Sequence, residues 1–200
     1  MIKVTEKEYV SYLRYKSGEF DPNKIFTDIS LDRVYENKPD KAWWGSPVDA
    51  EYDWKKWCEE HGETDVNFDT PIIWKLEEGS KVYFINAEDV ALEEDNPIFD
   101  YLVIKRKIYT LGRVDIIIDA PAKEKIAIIK NKPALWHLEC QMNYEKLLAD
   151  GIVGVELEDY SLIDKFTDRL ESSFNKWLCQ SIVVLDHKKI EFKTGEFSNA

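Results

Sequence analysis

The chain has little cysteine, glycine or proline, with three, eight and seven of these residues among 200. Three cysteines at no regular spacing exclude a disulfide-stapled scaffold and favour a reducing compartment. With few chain breakers and 44% hydrophobic residues, the sequence is not that of a disordered chain, because enough apolar surface is available for a core. We therefore expect one folded domain over residues 1–200.

Long apolar runs and an excess of basic residues are also missing. No stretch approaches the roughly 18 consecutive apolar residues of a membrane helix, and the first ten residues lack the apolar core of a signal peptide. The sequence therefore predicts a cytoplasmic protein with no membrane partner. Its net charge of −12 disfavours direct nucleic-acid binding, which needs a basic face.

Several motifs of well-known chemistries are absent. The sequence has no G-x-G-x-x-G, G-x-x-x-x-G-K-[ST], H-E-x-x-H or G-x-S-x-G pattern, so nucleoside triphosphate hydrolysis and serine-nucleophile chemistry have no local support. Cys58 with His61, and His137 with Cys140, have the residue types and spacing of zinc ligands. The alternative is that Cys58 and His61 are core residues on the tryptophan-bearing face of a helix. We expect no metal and keep a zinc-stabilised module as the alternative.

The order of predicted elements favours an α+β fold, because strands and helices alternate without a strict βαβ rhythm. A capping-box pattern at Thr5 and Glu8 predicts an N-terminal helix that ends near Gly18, within a helical extension over residues 1–28. Two strands over 71–76 and 81–85 are predicted to form a hairpin, and the strand over 181–185 to pair with residues 189–192. Residues 101–129, rich in Ile and Val, predict a β-rich insertion of two or three strands.

Residues 43–47, Trp-Trp-Gly-Ser-Pro, form the most informative motif. Adjacent residues of a strand point to opposite faces, so the two tryptophans are expected on opposite sides of the sheet. A glycine lets backbone approach a ligand closely, and the next residue offers a hydroxyl. A flat aromatic wall beside such an approach suits a nicotinamide or adenine ring. The alternative is two core aromatics at the end of a strand.

This motif resembles the first-strand signature of the ADP-ribosyltransferase fold. Poly(ADP-ribose) polymerases carry an aromatic-His-Gly-Ser sequence there, and a phage anti-CRISPR ADP-ribosyltransferase carries an aromatic-His-Thr-Ser-Pro sequence. Residues 178–184 are similar to the polymerase strand that presents the catalytic glutamate. The resemblance implies a split sheet core with a cleft for NAD as co-substrate, and transfer of ADP-ribose to a macromolecular acceptor, most naturally a protein.

Carried over residue by residue, the resemblance assigns roles to four positions. Trp44 stands at the histidine position, with Gly45 beside it, and Ser46 stands at the ribose-binding serine. Gln180 stands at the catalytic glutamate. Trp44 and Gln180 depart from the family, because tryptophan cannot make the histidine's hydrogen bonds and glutamine carries no negative charge.

The Arg-Ser-Glu branch of the same superfamily offers a second alignment. Arg33 would hold the pyrophosphate, Ser46 the ribose, and Glu156 or Glu158 would supply the catalytic carboxylate. Glutamates two apart on a strand point the same way, so both can reach one cleft. The alternative is that Glu156 and Glu158 mark a solvated strand end.

A function of another class fits the same sequence. Residues 53–58 are similar to a Trp-x-x-Trp-Cys helix in uncharacterised phage and prophage proteins. Acidic proteins can occupy basic grooves and associate with them quickly. We therefore hold two hypotheses: an NAD-dependent ADP-ribosyltransferase, and a non-enzymatic acidic inhibitor of anti-defence type on a degenerate version of the fold.

Overall fold

The computed structural model shows an α+β fold with more strand than helix, which confirms the predicted class. The structure describes residues 1–14, 20–22, 30–35, 38–40, 42–109, 113–133, 136–170, 174 and 177–193. Among these residues, no helix combines the length and the apolar character that crossing a membrane would require.

The described strands and helices follow one another without a repeating unit. The strands are β1 Ile2–Val4, β2 Glu8–Arg14, β3 Ser30–Tyr35, β4 Lys38–Asp40, β5 Trp43–Pro47, β6 Val66–Leu76, β7 Lys81–Ile85, β8 Leu102–Tyr109, β9 Arg113–Ile118, β10 His137–Met142, β11 Ile152–Leu157, β12 Ser181–Val184 and β13 Ile190–Phe192. The α-helices are α1 Trp54–His61, α2 Ala122–Lys130, α3 Tyr144–Ala149 and α4 Ile163–Leu170.

A main sheet of eight strands has the order β1-β7-β11-β12-β5-β2-β6-β13. The four residues between β6 and β7 join strands near opposite ends of this order, so the sheet must curl to bring those ends together. In agreement, apolar side chains from β2, β6, β7, β11, β12 and β13 meet in one buried cluster. We call the side of the sheet that surrounds this cluster the inner face.

The opposite side, the outer face, packs against a second layer. Alternation along β12 shows the division: Ile182 and Val184 belong to the inner cluster, whereas Val183 and Leu185 belong to the outer one. The outer cluster also takes apolar side chains from a three-stranded sheet, β10-β8-β9, and from helices α2, α3 and α4. The two clusters place the strands of the main sheet between two cores.

The predicted N-terminal helix is wrong. Residues 8–14 form β2, between β5 and β6, and residues 15–19 and 23–28 of the predicted extension lie outside the described residues. Tyr9 and Leu13 pack on the inner cluster, and Ser11 between them accepts a hydrogen bond from Trp74 of that cluster, so every second residue faces it, as in a strand. The Thr5 hydroxyl accepts a hydrogen bond from the Lys7 backbone N–H at 3.2 Å, so it closes a tight turn and caps no helix.

Both predicted hairpin pairings are also wrong. β6 pairs with β2 and β13, whereas β7 pairs with β1 and β11, so the two strands joined by residues 77–80 are not neighbours. β13 pairs with β6 and not with β12. A short connection predicted a local pair in each case, but long-range pairing across the curled sheet prevailed.

The segment 101–129 is β-rich only in part. β8 and β9 confirm two of the predicted strands, but residues 122–130 form α2, and the third strand of that sheet is β10. Residues 110–112 lie outside the described residues. The helix is held from its buried side by Lys125, whose ammonium donates a hydrogen bond to the Phe99 carbonyl at 2.9 Å. The Ile-rich run therefore forms the buried face of a helix, and Lys125 supplies a polar contact on that face.

Helix α1 confirms the tryptophan-bearing helix at Cys58 and His61, and it has a clear start and end. The Asp53 carboxylate accepts a hydrogen bond from the Lys56 backbone N–H at 2.8 Å, which caps the N-terminus. Gly62, with a φ of 70°, adopts the left-handed conformation that ends the helix. This helix follows β5 directly, so it lies beside the Trp-Trp-Gly-Ser-Pro motif.

Candidate functional site

A cleft of about 190 Å³ lies between β2, β5, α1 and the segment that leads into β12. Four aromatic side chains line it, together with three serines and four other residues. The aromatic residues are Tyr12, Trp44, Trp54 and Trp177, the serines are Ser11, Ser46 and Ser181, and the others are Val10, Gly45, Leu178 and Cys179. Trp44, Gly45 and Ser46, predicted to bind the cofactor, therefore line one cleft.

The two adjacent tryptophans of β5 lie on opposite faces, as the alternation of a strand predicts. Trp44 packs on the outer cluster, with its ring 4.9 Å from the Trp177 ring and nearly perpendicular to it. Trp43 packs on the inner cluster against Trp74 and Phe192. Trp44 thus forms one wall of the cleft, while Trp43 is a core residue.

Ser46 is hydrogen-bonded to the first residue of helix α1. Its hydroxyl accepts a hydrogen bond from the Trp54 backbone N–H at 3.1 Å, and its side chain is buried. The first N–H groups of a helix have no partner within the helix, so this contact stabilises the start of α1. The ribose-binding role predicted for Ser46 would compete with this contact.

Gly45 is required by the packing of Trp74. A Cβ atom on Gly45 would lie 2.7 Å from Cζ2 of Trp74 and 3.0 Å from the carbonyl oxygen of Val10. The group that approaches the backbone of Gly45 is therefore an indole of the inner core. The sequence motif predicted a close approach here, and the structure identifies a side chain that makes one.

The three serine hydroxyls of the cleft are already hydrogen-bonded. Ser11 donates to the Trp44 carbonyl at 2.6 Å and accepts from Nε1 of Trp74 at 2.8 Å. Ser181 donates to the Cys179 carbonyl at 3.1 Å. With Ser46 engaged at α1, the walls of the cleft are mainly aromatic faces and satisfied polar groups.

Glu156 lies on the inner face, away from the cleft. Its neighbours Val155 and Leu157 belong to the outer cluster, so its own side chain points inward. The carboxylate is fully buried and accepts hydrogen bonds from the Lys7 ammonium at 2.6 Å and from the Tyr9 hydroxyl at 2.8 Å. Glu156 is therefore the buried centre of a polar cluster that also contains Tyr9, which is buried, and Lys7, whose side chain is 37% exposed.

Burial has the largest effect on the pKa values of Glu156 and Tyr9 in this cluster. Removal from water raises the pKa of Glu156 above its ordinary value of 4.5, although the contacts with Lys7 and Tyr9 act in the opposite direction. Burial, with the nearby Glu156 carboxylate, also raises the pKa of Tyr9. The Tyr9 hydroxyl is also 3.1 Å from the Thr5 hydroxyl, so the cluster is closely hydrogen-bonded.

Glu158 and Gln180 are placed near each other at the ends of β11 and β12. Glu158 lies within 3.9 Å of the Lys7 ammonium and its side chain is 32% exposed. The Gln180 side chain accepts a hydrogen bond from the Tyr52 N–H at 2.9 Å and donates one to the Glu158 carbonyl at 2.7 Å. Gln180 therefore joins β11 to the loop before α1.

Arg33 belongs to a different part of the fold. It lies on β3, which pairs with β4 in a separate two-stranded sheet. The predicted site residues are therefore divided into three groups. Trp44, Gly45 and Ser46 line the cleft, the two glutamates extend along the inner face, and Arg33 is on the small sheet.

The Cys/His pairs also lie in unlike surroundings. Cys58 is buried, and burial raises the pKa of its thiol to about 11, whereas His61 is exposed. His137 is exposed and Cys140 is buried. The core alternative is thus correct for Cys58 and wrong for His61, and among the described residues no three His, Cys, Asp or Glu side chains form a group that could hold a metal ion.

Two features of the site go beyond the sequence prediction. Trp54, Trp57 and His61 form a continuous stack on α1, with ring centroids 4.9 and 4.3 Å apart. The sequence correctly placed His61 on the tryptophan-bearing face, in keeping with the spacing i, i+3, i+7, but as a core residue and not as part of this stack. The contact of Lys7 with Glu156 joins residues 149 positions apart, and no local pattern could have predicted it.

Two carboxylates influence Tyr12 in the wall of the aromatic cleft. Burial, with the nearby carboxylates of Asp53 and Glu59, raises the pKa of Tyr12 above its usual value. The cleft can accept an apolar or cationic group, whereas the buried Glu156 carboxylate lies on the inner face of the sheet.

Comparison of the chain with protein-family models, with curated proteins and with solved structures finds no match.

Proposed function

We propose that this chain is a non-enzymatic binding protein that docks a basic segment of a protein partner on α1 and the adjacent cleft. The observation that supports this proposal best is the use already made of the predicted catalytic groups. Glu156 is buried on the opposite face from Trp44 and Ser46, Ser46 caps α1, and Gln180 bridges two segments of backbone. Catalysis requires reactive groups around a common substrate position.

The charge of the α1 region supports a basic partner. Residues 49–65 contain seven Asp and Glu but only two Lys, an excess of five negative charges. Both lysines lie over aromatic rings, Lys55 over Phe68 and Lys56 over Tyr52. Exposed carboxylates beside a half-buried aromatic stack attract a cationic segment and offer it apolar contact area.

The competing hypothesis is the ADP-ribosyltransferase. It is favoured by one observation, that Trp44, Gly45 and Ser46 line one cleft. Transfer of ADP-ribose from NAD would also need a carboxylate in that cleft, and its lining includes neither Asp nor Glu. The binding hypothesis accounts for the same cleft on a degenerate version of that fold.

The test measures binding of a fluorescein-labelled octa-arginine peptide by anisotropy at low and high salt. Glu59→Lys/Glu63→Lys changes two exposed residues of the α1 region. Glu93→Lys/Glu94→Lys is the matched control, because it makes the same change of charge at an exposed cluster elsewhere. We expect the first pair to weaken binding about tenfold at low salt and the control pair by less than about twofold.

Equal losses in the two double variants would contradict the proposal, because they would show that only net charge matters. Absence of binding to the unmodified protein at low salt would contradict it as well. Circular dichroism of both variants checks that the fold is retained.

A further inference from the structure

The walls of the cleft have the composition of an aromatic cage. Trp44 and Trp177 meet nearly at right angles, and Tyr12 and Trp54 complete the lining. Aromatic rings carry negative potential on their faces and attract a cation placed over them. The volume of about 190 Å³ far exceeds the roughly 10–15 Å³ that one water needs.

The hydrogen bonds of the cleft select among cations. The hydroxyls of Ser11, Ser46 and Ser181 are already engaged, and the lining includes no carboxylate. A lysine ammonium brings three N–H donors and a guanidinium five, and buried donors without acceptors are costly. A quaternary ammonium group carries the same charge with no N–H donor.

The charge around the cleft favours a cation over a neutral group of the same shape. Asp53 and Glu59 act electrostatically on Tyr12, which is itself part of the cleft lining. The chain as a whole has a net charge of −12. An anion is therefore disfavoured in this position, and a neutral group gains nothing from the surrounding field.

We propose that the cleft formed by Tyr12, Trp44, Trp54 and Trp177 binds a quaternary ammonium group. This inference rests on the proposed function, because it names the group that the cleft takes from a basic partner, such as a trimethylated lysine. The same chemistry is found in free choline. The experiment separates the two sources.

The first experiment titrates the intact protein calorimetrically with choline and with 3,3-dimethyl-1-butanol, its neutral isostere, at equal ionic strength. We expect choline to bind at least about tenfold more tightly, because only choline carries the charge that the rings and carboxylates attract. Equal affinities would overturn the proposal, since the cleft would then be an ordinary apolar pocket. Absence of binding by both compounds would overturn it too.

Peptides distinguish the two sources. A short peptide with one trimethyllysine is compared with the same peptide carrying unmodified lysine. Tighter binding of the methylated peptide than of choline supports a protein source, and tighter binding of choline supports a free metabolite. A preference for unmodified lysine would contradict the cage.

Variants locate the binding position. Trp54→Ala removes a wall and is expected to weaken choline binding about tenfold. Tyr12→Leu keeps apolar volume but removes a ring, so the same direction of change is expected even if Trp54→Ala loosens α1. Trp136→Ala, a half-buried tryptophan beside Arg106 on the three-stranded sheet, is the matched control and should bind choline as the unmodified protein does.

The outcome also separates this inference from the proposed function. If octa-arginine binding depends on Glu59 and Glu63 but choline does not bind, the cage fails and the docking surface stands. If choline binds and the charge reversals have no effect on octa-arginine, the cage stands as a small-molecule site and the docking surface fails. An unchanged choline affinity in Trp54→Ala and in Tyr12→Leu would overturn the cage directly.

Discussion

The two faces of the main sheet differ in the environment that they give to polar groups. On the inner face, Glu156 is fully buried among apolar side chains and bound by Lys7 and Tyr9. On the outer face, the cleft beside Trp44 is open and aromatic, and its serine hydroxyls are already hydrogen-bonded. One face therefore buries a hydrogen-bonded carboxyl group, while the other lines an open cleft with aromatic rings.

This difference teaches a limit of motif reasoning on strands. Residues two apart share a face, and Glu156 and Glu158 do lie near the same lysine, Lys7. The motif does not show whether the face that Glu156 and Glu158 share is the same face of the sheet as that of Trp44. In this fold, the register of β11 and β12 places them on opposite sides.

The largest expected effect comes from adding a side chain at Gly45, where the backbone contacts the Trp74 indole of the inner core. Gly45→Ala places a Cβ 2.7 Å from the Trp74 indole, and we expect it to lower the free energy of unfolding by about 3 kcal/mol. Gly79→Ala is the control, because nothing lies within 4 Å of its added Cβ and only its φ of 82° is strained, at about 1 kcal/mol. Urea unfolding measures both, and a smaller loss for Gly45→Ala than for Gly79→Ala would contradict the packing role.

The next effect concerns the buried carboxyl group of Glu156. Tyr9→Phe removes the hydroxyl that donates to the buried Glu156 carboxylate, and we expect a loss of about 2 kcal/mol in the free energy of unfolding. Tyr12→Phe removes a hydroxyl on the cleft side and should change stability by less than about 0.5 kcal/mol. Equal losses in urea unfolding would show that the two faces do not differ in this way.

A smaller effect tests the structural role of Ser46. Ser46→Ala removes the acceptor of the Trp54 N–H and should cost about 1 kcal/mol by weakening the start of α1. Ser161→Ala, at an exposed serine in a turn, should be close to neutral. Thermal unfolding compares the two, and no loss in Ser46→Ala would mean that its hydroxyl is available for a ligand.

The smallest and most specific effect is a pH dependence. Because burial raises the pKa of Glu156 above 4.5, the folded state holds this proton more tightly than the unfolded state. The contribution of Glu156 to stability is therefore fully present below its unfolded pKa and declines as the pH rises through the folded pKa. The stability of the unmodified protein relative to Glu156→Gln should fall as the pH rises above 4.5, the ordinary pKa of the group, and a rise would contradict the dominance of burial.

Local patterns predicted local features of this chain well. The tryptophan-bearing helix around Cys58 and His61 and the placement of Trp43 and Trp44 on opposite faces both depend on neighbouring residues, and both are confirmed. The N-terminal strand was predicted as a helix, because three tyrosines at mixed spacing fit both periods. Its strand conformation comes from pairing with β6, more than 50 residues away.

The candidate site was predictable only in its separate parts. The sequence identified Trp44, Gly45 and Ser46 as neighbours on a strand, and they line the cleft together. Trp177 faces Trp44 from 133 residues away, and its part in the cleft depends on the pairing of β12 with β5. Sheet order and register therefore decide which of the predicted groups meet.

The most direct test of the separation of the two faces is nicotinamide release from NAD by the unmodified protein, with Glu156→Gln and Glu158→Gln in parallel. Because neither glutamate lines the cleft with Trp44 and Ser46, we predict no release above the rate without protein. Release that either variant abolishes while keeping its fold would contradict this separation and establish the transferase.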